Sequence, residues 1–196
     1  MSKSDPAAAK KERNKTIRWV VTIFFVTILV SGTISMLSDY IMSVSGMLVA
    51  FVILLVIILV GIIFDIIGVA VASADEKPFH SMASRKVRGA QDAIKLLRNA
   101  ERVSSICNDV VGDICGVVSG SASATIAAQV IAAADGFSVP QLISLGMSAL
   151  VAGLTVGGKA IGKTFAMNSC TAILSFVGRC LYYFRNWPKM IKKKKK

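Results

Sequence analysis

Three carboxylates, Asp65, Asp109 and Asp113, stand in stretches of chain otherwise made of apolar and small residues. Asp109 and Asp113 are one helical turn apart and so share a helix face. A carboxylate carried into hydrocarbon costs about 2.5–3.5 kcal/mol on insertion scales, so each is expected to face protein or water. Two chemistries suit such groups. They can be oxygen ligands for a hard cation such as Mg²⁺, which accepts carboxylates, carbonyls and retained water, or members of a proton relay. Asn108 and the hydroxyls of Ser104 and Ser105 lie beside them in sequence. The plainer alternative is that Asp109 sits near the interface, reaches water, and pairs with Arg102 or Lys159.

Gly157 to Thr164 reads Gly-Gly-Lys-Ala-Ile-Gly-Lys-Thr, a formal match to the phosphate-cradling loop of nucleotide hydrolases. That loop needs a strand before it, a helix after it and an acid for magnesium. Only 32 residues follow Thr164, and none is Asp or Glu. The segment is therefore read as a glycine-softened helix end with Lys159 and Lys163 at the headgroups, and neither a nucleotide nor an organic cofactor is expected. His80, the only histidine, follows Pro78 and reads as a polar surface residue. The four cysteines, Cys107, Cys115, Cys170 and Cys180, show no CxxC pairing, so free thiols are expected and zinc is not. No nucleophile is paired with a base, and nothing points to an enzyme.

The elements that must position these groups are membrane spans. Of the 196 residues 54% are hydrophobic and mean hydropathy is +0.65, with apolar runs too long for soluble-core helices. Residues 1–18 carry six Lys or Arg and read as a mobile basic tail. Residues 19–38 form a first span, longer than the apolar region of a cleaved signal peptide and so expected to be a retained anchor. After a link at Asp39 to Gly46, a second span runs from Met47 to Ala74 with Asp65 as its one charge. Residues 75–102 are polar and basic, with Val87, Ala90, Ile94 and Leu97 at helical spacing, and read as an amphipathic helix on the cytoplasmic surface. The third span, 104–134, places Gly112, Gly116, Gly120, Ala124, Ala128 and Ala132 at four-residue spacing, a stripe that lets another helix approach closely. A turn at Asp135 to Pro140 precedes a fourth span at 141–157, where Gly146, Ala149, Gly153 and Gly157 give a second thin face. Residues 165–196 read as an interfacial helix to Trp187 with a polybasic end.

The fold class expected is thus all-α: a polytopic membrane protein with four transmembrane helices, a juxtamembrane amphipathic helix and a C-terminal interfacial helix. The net charge of +12 would suggest nucleic-acid binding in a soluble chain. Here the Lys and Arg residues lie between or beyond the spans, which points to anionic lipid headgroups as the partner and not to nucleic acid. Both outer links carry Asp and no Lys or Arg, so the positive-inside rule places both termini in the cytoplasm, and the membrane expected is a bacterial plasma membrane. Asp65 and Asp113 then lie about 15 Å into the bilayer.

From residue 47 to 187 the order of elements resembles the transmembrane domain of the cyclin-M/CorC family of magnesium transporters, also called CorB in bacteria. The family's first core helix carries Ser-Gly-x-Glu-x-Ala, and the corresponding residues are Asp65-Ile66-Ile67-Gly68-Val69-Ala70; its basic juxtamembrane stretch ends in Glu-Arg, similar to Glu101-Arg102. Its next helix carries Gly-Asn-x-x-x-Asn, where Asn108, Asp109 and Asp113 are the nearby polar groups, and its third ends in Gly-Glu-x-x-Pro-Lys, similar to Gly158-Lys159-Ala160-Ile161-Gly162-Lys163. Lys159 stands where the family has an acid and Gly162 where it has proline. The family's paired cystathionine-synthase-type regulatory domains have no counterpart in these residues, and residues 19–38 are an additional span. The resemblance implies a core over 47–164 that handles Mg²⁺ or Co²⁺, with Asp65, Asp109 and Asp113 as ligands, Asn108 and Lys159 on the cation path, and a homodimer formed through the glycine faces. The alternative is a non-transporting membrane scaffold whose intramembrane carboxylates pair internally with Lys159.

Overall fold

The computed structural model describes residues 6–44, 46–133 and 140–193. All regular structure among them is helical: α1 (Pro6–Val44), α2 (Met47–Ser73), α3 (Lys77–Ser84), α4 (Ala90–Leu97), α5 (Ala100–Ser105), a π-helical segment (Ile106–Gly112), α6 (Asp113–Ala133), α7 (Pro140–Asn168) and α8 (Cys170–Lys193). Four stretches are long and apolar enough to cross a membrane, Thr16–Ile41, Met47–Ser73, Ala100–Ala133 and Pro140–Asn168, with mean hydropathies of 2.3, 3.5, 1.6 and 1.5. The chain thus has the architecture of a polytopic membrane protein. The expected turn at Asp135 to Pro140, apart from Pro140 itself, and Lys194 to Lys196 of the basic end lie outside the described residues.

Three boundaries differ from the expectation, each for a physical reason. The link placed at Asp39 to Gly46 is helical as far as Val44, because no proline or glycine interrupts the chain before Gly46. The basic stretch is helical from Pro6, so α1 at 1.5 Å per residue is about 58 Å long and exceeds the ~30 Å hydrocarbon core. The fourth span does not stop at Gly157 but continues to Asn168, past Lys159 and Lys163. Glycines soften a helix when they face water, yet here a methyl group at Gly158 would overlap Ile62 and one at Gly162 would lie 2.8 Å from Ile66 Cγ1. These two glycines, four apart, let α7 lie directly on α2, and the packing carries the helix onward.

Helix α2 is the hub. Its first half packs Ala50, Leu54 and Ile58 against Ala122 and Ile126 of α6 and Val151 of α7. Its last turns place Val71 in a second apolar cluster with Phe79 of α3, Ala93 and Ile94 of α4, and Leu174 of α8. These pairings make α2 and α7 run in the same direction, with α6 opposed. Helix α1 rests mainly on α6, where the Ser121 hydroxyl donates to Asp39 Oδ1 at 3.4 Å.

The juxtamembrane segment is two short helices and not one. Helix α3 ends with the Val87 amide donating to the Met82 carbonyl and the Lys86 amide to the Ala83 carbonyl, with Lys86 at φ 56°. This is a Schellman-type stop in which a lysine occupies the left-handed position that glycine favours, at a cost on the order of 1 kcal/mol. Gly89, at φ 89°, opens α4, and a side chain on it would collide with the backbone at Gly178 and Arg179 of α8. As the spacing predicts, α4 buries Ala90 and Ile94 and half-buries Leu97, whereas Val87 lies exposed in the turn. The juxtamembrane helices are also tied by Glu76, which pairs with Arg98 at 3.7 Å and with His80, exposed as expected, at 3.3 Å.

The neighbouring glycines 157 and 158 separate packing from propensity, since nothing lies within 4 Å of a methyl group placed at Gly157. Gly158→Val is expected to lower the melting temperature in detergent by an amount corresponding to about 1–3 kcal/mol of overpacking. Gly157→Val should change it by less than half as much, as read by circular dichroism on the two variants.

Candidate intramembrane charge site

Between the two apolar clusters α2 carries a polar layer. Asp65, eight residues before the end of the helix, sits about 12 Å from that end, on the face turned toward α7 and the π segment. Its Oδ1 lies 3.9 Å from Lys159 Nζ, with side chains 16% and 25% exposed. At that separation the pair is electrostatic more than hydrogen-bonded. Gly112, the last residue of the π segment, closes the third side: a methyl group on it would lie 3.3 Å from Lys159 Nζ and 4.0 Å from Asp65 Oδ1. Gly112 is the member of the small-residue stripe that the bundle uses here. Gly116 and Gly120 have nothing within 4 Å of where a methyl would go, and Ala124 and Ala128 are exposed, so most of the stripe faces outward. Gly146, Gly153 and Gly157 of the second thin face are likewise open.

One turn toward the basic end, Asn108 lies flat on Gly68, so that any side chain at Gly68 would occupy the space of the Asn108 amide. Asn108 Nδ2 donates to Ser104 Oγ at 3.3 Å, while its buried Oδ1 has no hydrogen-bond partner. A buried amide oxygen left unpaired costs about 1–3 kcal/mol and is an available ligand. Asn108 and Gly112, four residues apart on one helix face within the π segment, both meet α2.

The expected three-carboxylate arrangement does not form. Asp109 is exposed and accepts a hydrogen bond from Ser105 Oγ at 2.7 Å, and Asp113 is exposed at the start of α6. Among the described residues no three His, Cys, Asp or Glu side chains are gathered where one metal ion could be held. Asp109 and Asp113 do share a helix face, but it is the outward one, because the adjoining Asn108 and Gly112 are the pair turned to α2. Of the predicted site residues, α2 and α7 bring Asp65 and Lys159 together, and the π segment places Asn108 one turn away on the same face of α2. Gly68 and the π turn are what sequence reasoning missed; a glycine three residues after the one intramembrane charge of α2 was the available signal.

Gly157 to Thr164 lies wholly within α7, its amides committed to helix bonds instead of a phosphate-binding loop. The four cysteines are unpaired. Comparison with known proteins finds no family model, curated protein or solved structure that matches the chain.

Removing one member of a partly buried ion pair strands the other. Asp65→Asn and Lys159→Met are each expected to lower stability by about 2–4 kcal/mol, and the double variant by less than the sum. Additive losses in a thermal-unfolding cycle would show that the two charges do not interact.

Proposed function

We propose that the chain is a transporter-like membrane protein for divalent cations, Mg²⁺ foremost and Co²⁺ after it, with Asp65 as the carboxylate that meets the ion. The observation that carries this reading is a carboxylate held inside a span by a lysine on a neighbouring helix, beside an amide oxygen that lacks a partner. Mg²⁺ keeps several of its waters and needs only one or two carboxylates, so Asp65 with the Asn108 oxygen suits a hydrated ion better than a fully protein-built cage. Lys159 then acts as a tethered counter-ion: it neutralises Asp65 while no ion is bound, and a divalent cation displaces it. Asp109, exposed nearer the basic end than Asp65, supplies negative charge that attracts the ion without holding it. The likeness of residues 47–187 to cyclin-M/CorC transporters favours the same reading, although Lys159 departs from that family's pattern.

Charge asymmetry favours cytoplasmic termini, with the basic surfaces on anionic headgroups, and the membrane we propose is a bacterial plasma membrane. The outward-facing small residues of α6 and α7 suit a homodimer.

A second reading, a non-transporting scaffold, is favoured by the same ion pair, since Asp65 already has its counter-charge and no three-ligand cluster forms among the described residues. The two readings part on Lys159. In vesicles reconstituted with the full chain and a Mg²⁺-sensitive dye, the transporter reading expects flux that falls at least tenfold in Asp65→Asn. It also expects tighter Mg²⁺ binding by calorimetry in Lys159→Gln. Flux no greater than in protein-free vesicles, with no heat of Mg²⁺ or Co²⁺ binding in either the native chain or Lys159→Gln, would leave the scaffold.

A further inference from the structure

We propose that the cleft between the α3–α4 turn and α8 binds one anionic phospholipid headgroup that also carries hydroxyl donors, of the phosphatidylglycerol type. The cleft shares no residue with the Asp65 layer, so the inference stands apart from the ion-handling reading. It has a volume of about 210 Å³, with Lys86, Arg88, Gln91, Asp92, Tyr182 and Arg185 on its walls. It lies at the basic end of the spans, where α3, α4 and α8 meet the end of α2 and where lipid phosphates lie.

Three cations against one carboxylate give the cleft a positive balance, and one of them, Arg185, is held in place. Arg88 is exposed on the cleft wall near Tyr183, whose phenol pushes the guanidinium's pKa further up. Arg185 donates to Asp92 Oδ1, which Lys95 also approaches at 3.9 Å. A phosphate diester offers acceptor oxygens to such donors.

Asp92 supplies the second half of the recognition. It is 94% buried, its Oδ1 is engaged, and its Oδ2 has no partner. A carboxylate oxygen only accepts, so the ligand that completes it must bring a donor beside its phosphate. A glycerol headgroup does this, whereas a choline headgroup has no donor. The turn points the same way. Lys86 occupies a left-handed backbone position at which glycine would be unstrained, and its placement on the cleft wall accounts for a lysine there.

A second cleft of about 190 Å³ adjoins the first across Val87 and Arg88, and its lining is largely apolar, with Phe79, Met82 and Val87 beside Ser175 and Arg179. A cationic cleft beside an apolar one fits an amphiphile, with the headgroup in the first and the glycerol backbone and first methylenes in the second. A free phosphate would use only the first.

The test is native mass spectrometry of the detergent-purified full chain titrated with phosphatidylglycerol, phosphatidylcholine and, separately, glycerol 3-phosphate. One phosphatidylglycerol is expected to bind at least fivefold more tightly than phosphatidylcholine, and glycerol 3-phosphate at equal concentration should not displace it. Lys86→Gly and Arg88→Gln should each weaken it about fivefold, the worth of one basic side chain at an anionic headgroup. Lys86→Gly also relieves the left-handed strain, so its melting temperature should hold or rise while binding falls, which separates lost recognition from lost folding. Lys163→Gln, an exposed cation on α7 outside the cleft, should leave binding unchanged. Equal retention of phosphatidylcholine, displacement by glycerol 3-phosphate, undiminished binding in Lys86→Gly, or an equal loss in Lys163→Gln would each overturn the proposal.

Discussion

Two opposite charges inside apolar helices constrain everything around them. Asp65 and Lys159 would each cost about 2.5–3.5 kcal/mol if left facing hydrocarbon at mid-span, and proximity is what offsets that. Proximity requires α2 and α7 to touch along their length, which only a thin face permits; Gly158 and Gly162 provide it against Ile62 and Ile66. The third wall must be thin as well, since any side chain at Gly112 would crowd the ammonium. Three glycines that look unrelated in the chain are thus consequences of one ion pair.

The α2-facing side of the π segment serves the same layer. Asn108 sits on Gly68 while Gly112, four residues on, closes the ion pair, and Cys115 follows against Gly61. The layer lies between two apolar clusters, one built on Leu54 and Ile58 and the other on Val71 and Phe79. Both clusters exclude water from the ends of the layer, which strengthens the Asp65–Lys159 attraction beyond what an exposed pair would feel.

Hydropathy made the spans legible, and the lone charge in residues 47–74 singled out Asp65 without any structure. The adjoining helix ends were not legible, because they depend on contacts and not on a segment's own preference. Gly157 and Lys159 look like the end of a span when the chain is read alone, yet they lie mid-helix because α2 supplies both a surface and a counter-charge. The stripe from Gly112 to Ala132 was visible as a stripe, but spacing cannot say which face a neighbour uses, and only Gly112 proved to line the charge layer. The aspartates at 109 and 113 do share a face, as their spacing requires, but that face is turned outward, and spacing alone does not say which face a neighbour takes. The juxtamembrane break was half legible, since Gly89 marks the turn, whereas the left-handed position three residues before it is held by Lys86, a residue type that announces nothing.

Stability alone does not explain why an ion pair is kept here, since apolar residues of similar volume often hold a buried contact as well or better. Register does. Helix α7 carries glycines at 146, 153, 157, 158 and 162, and Ile62 and Ile66 on α2 repeat at the same four-residue interval, so sliding one helix by a turn would again set a glycine against an isoleucine. Apolar packing distinguishes those registers weakly. A slip of one turn, about 5.4 Å, would carry Lys159 out of reach of Asp65 and leave both charges in hydrocarbon. The pair therefore selects one alignment of α2 and α7 among several that their small residues would otherwise accept. The same discrimination would be available to any cation that competes with Lys159 for the carboxylate.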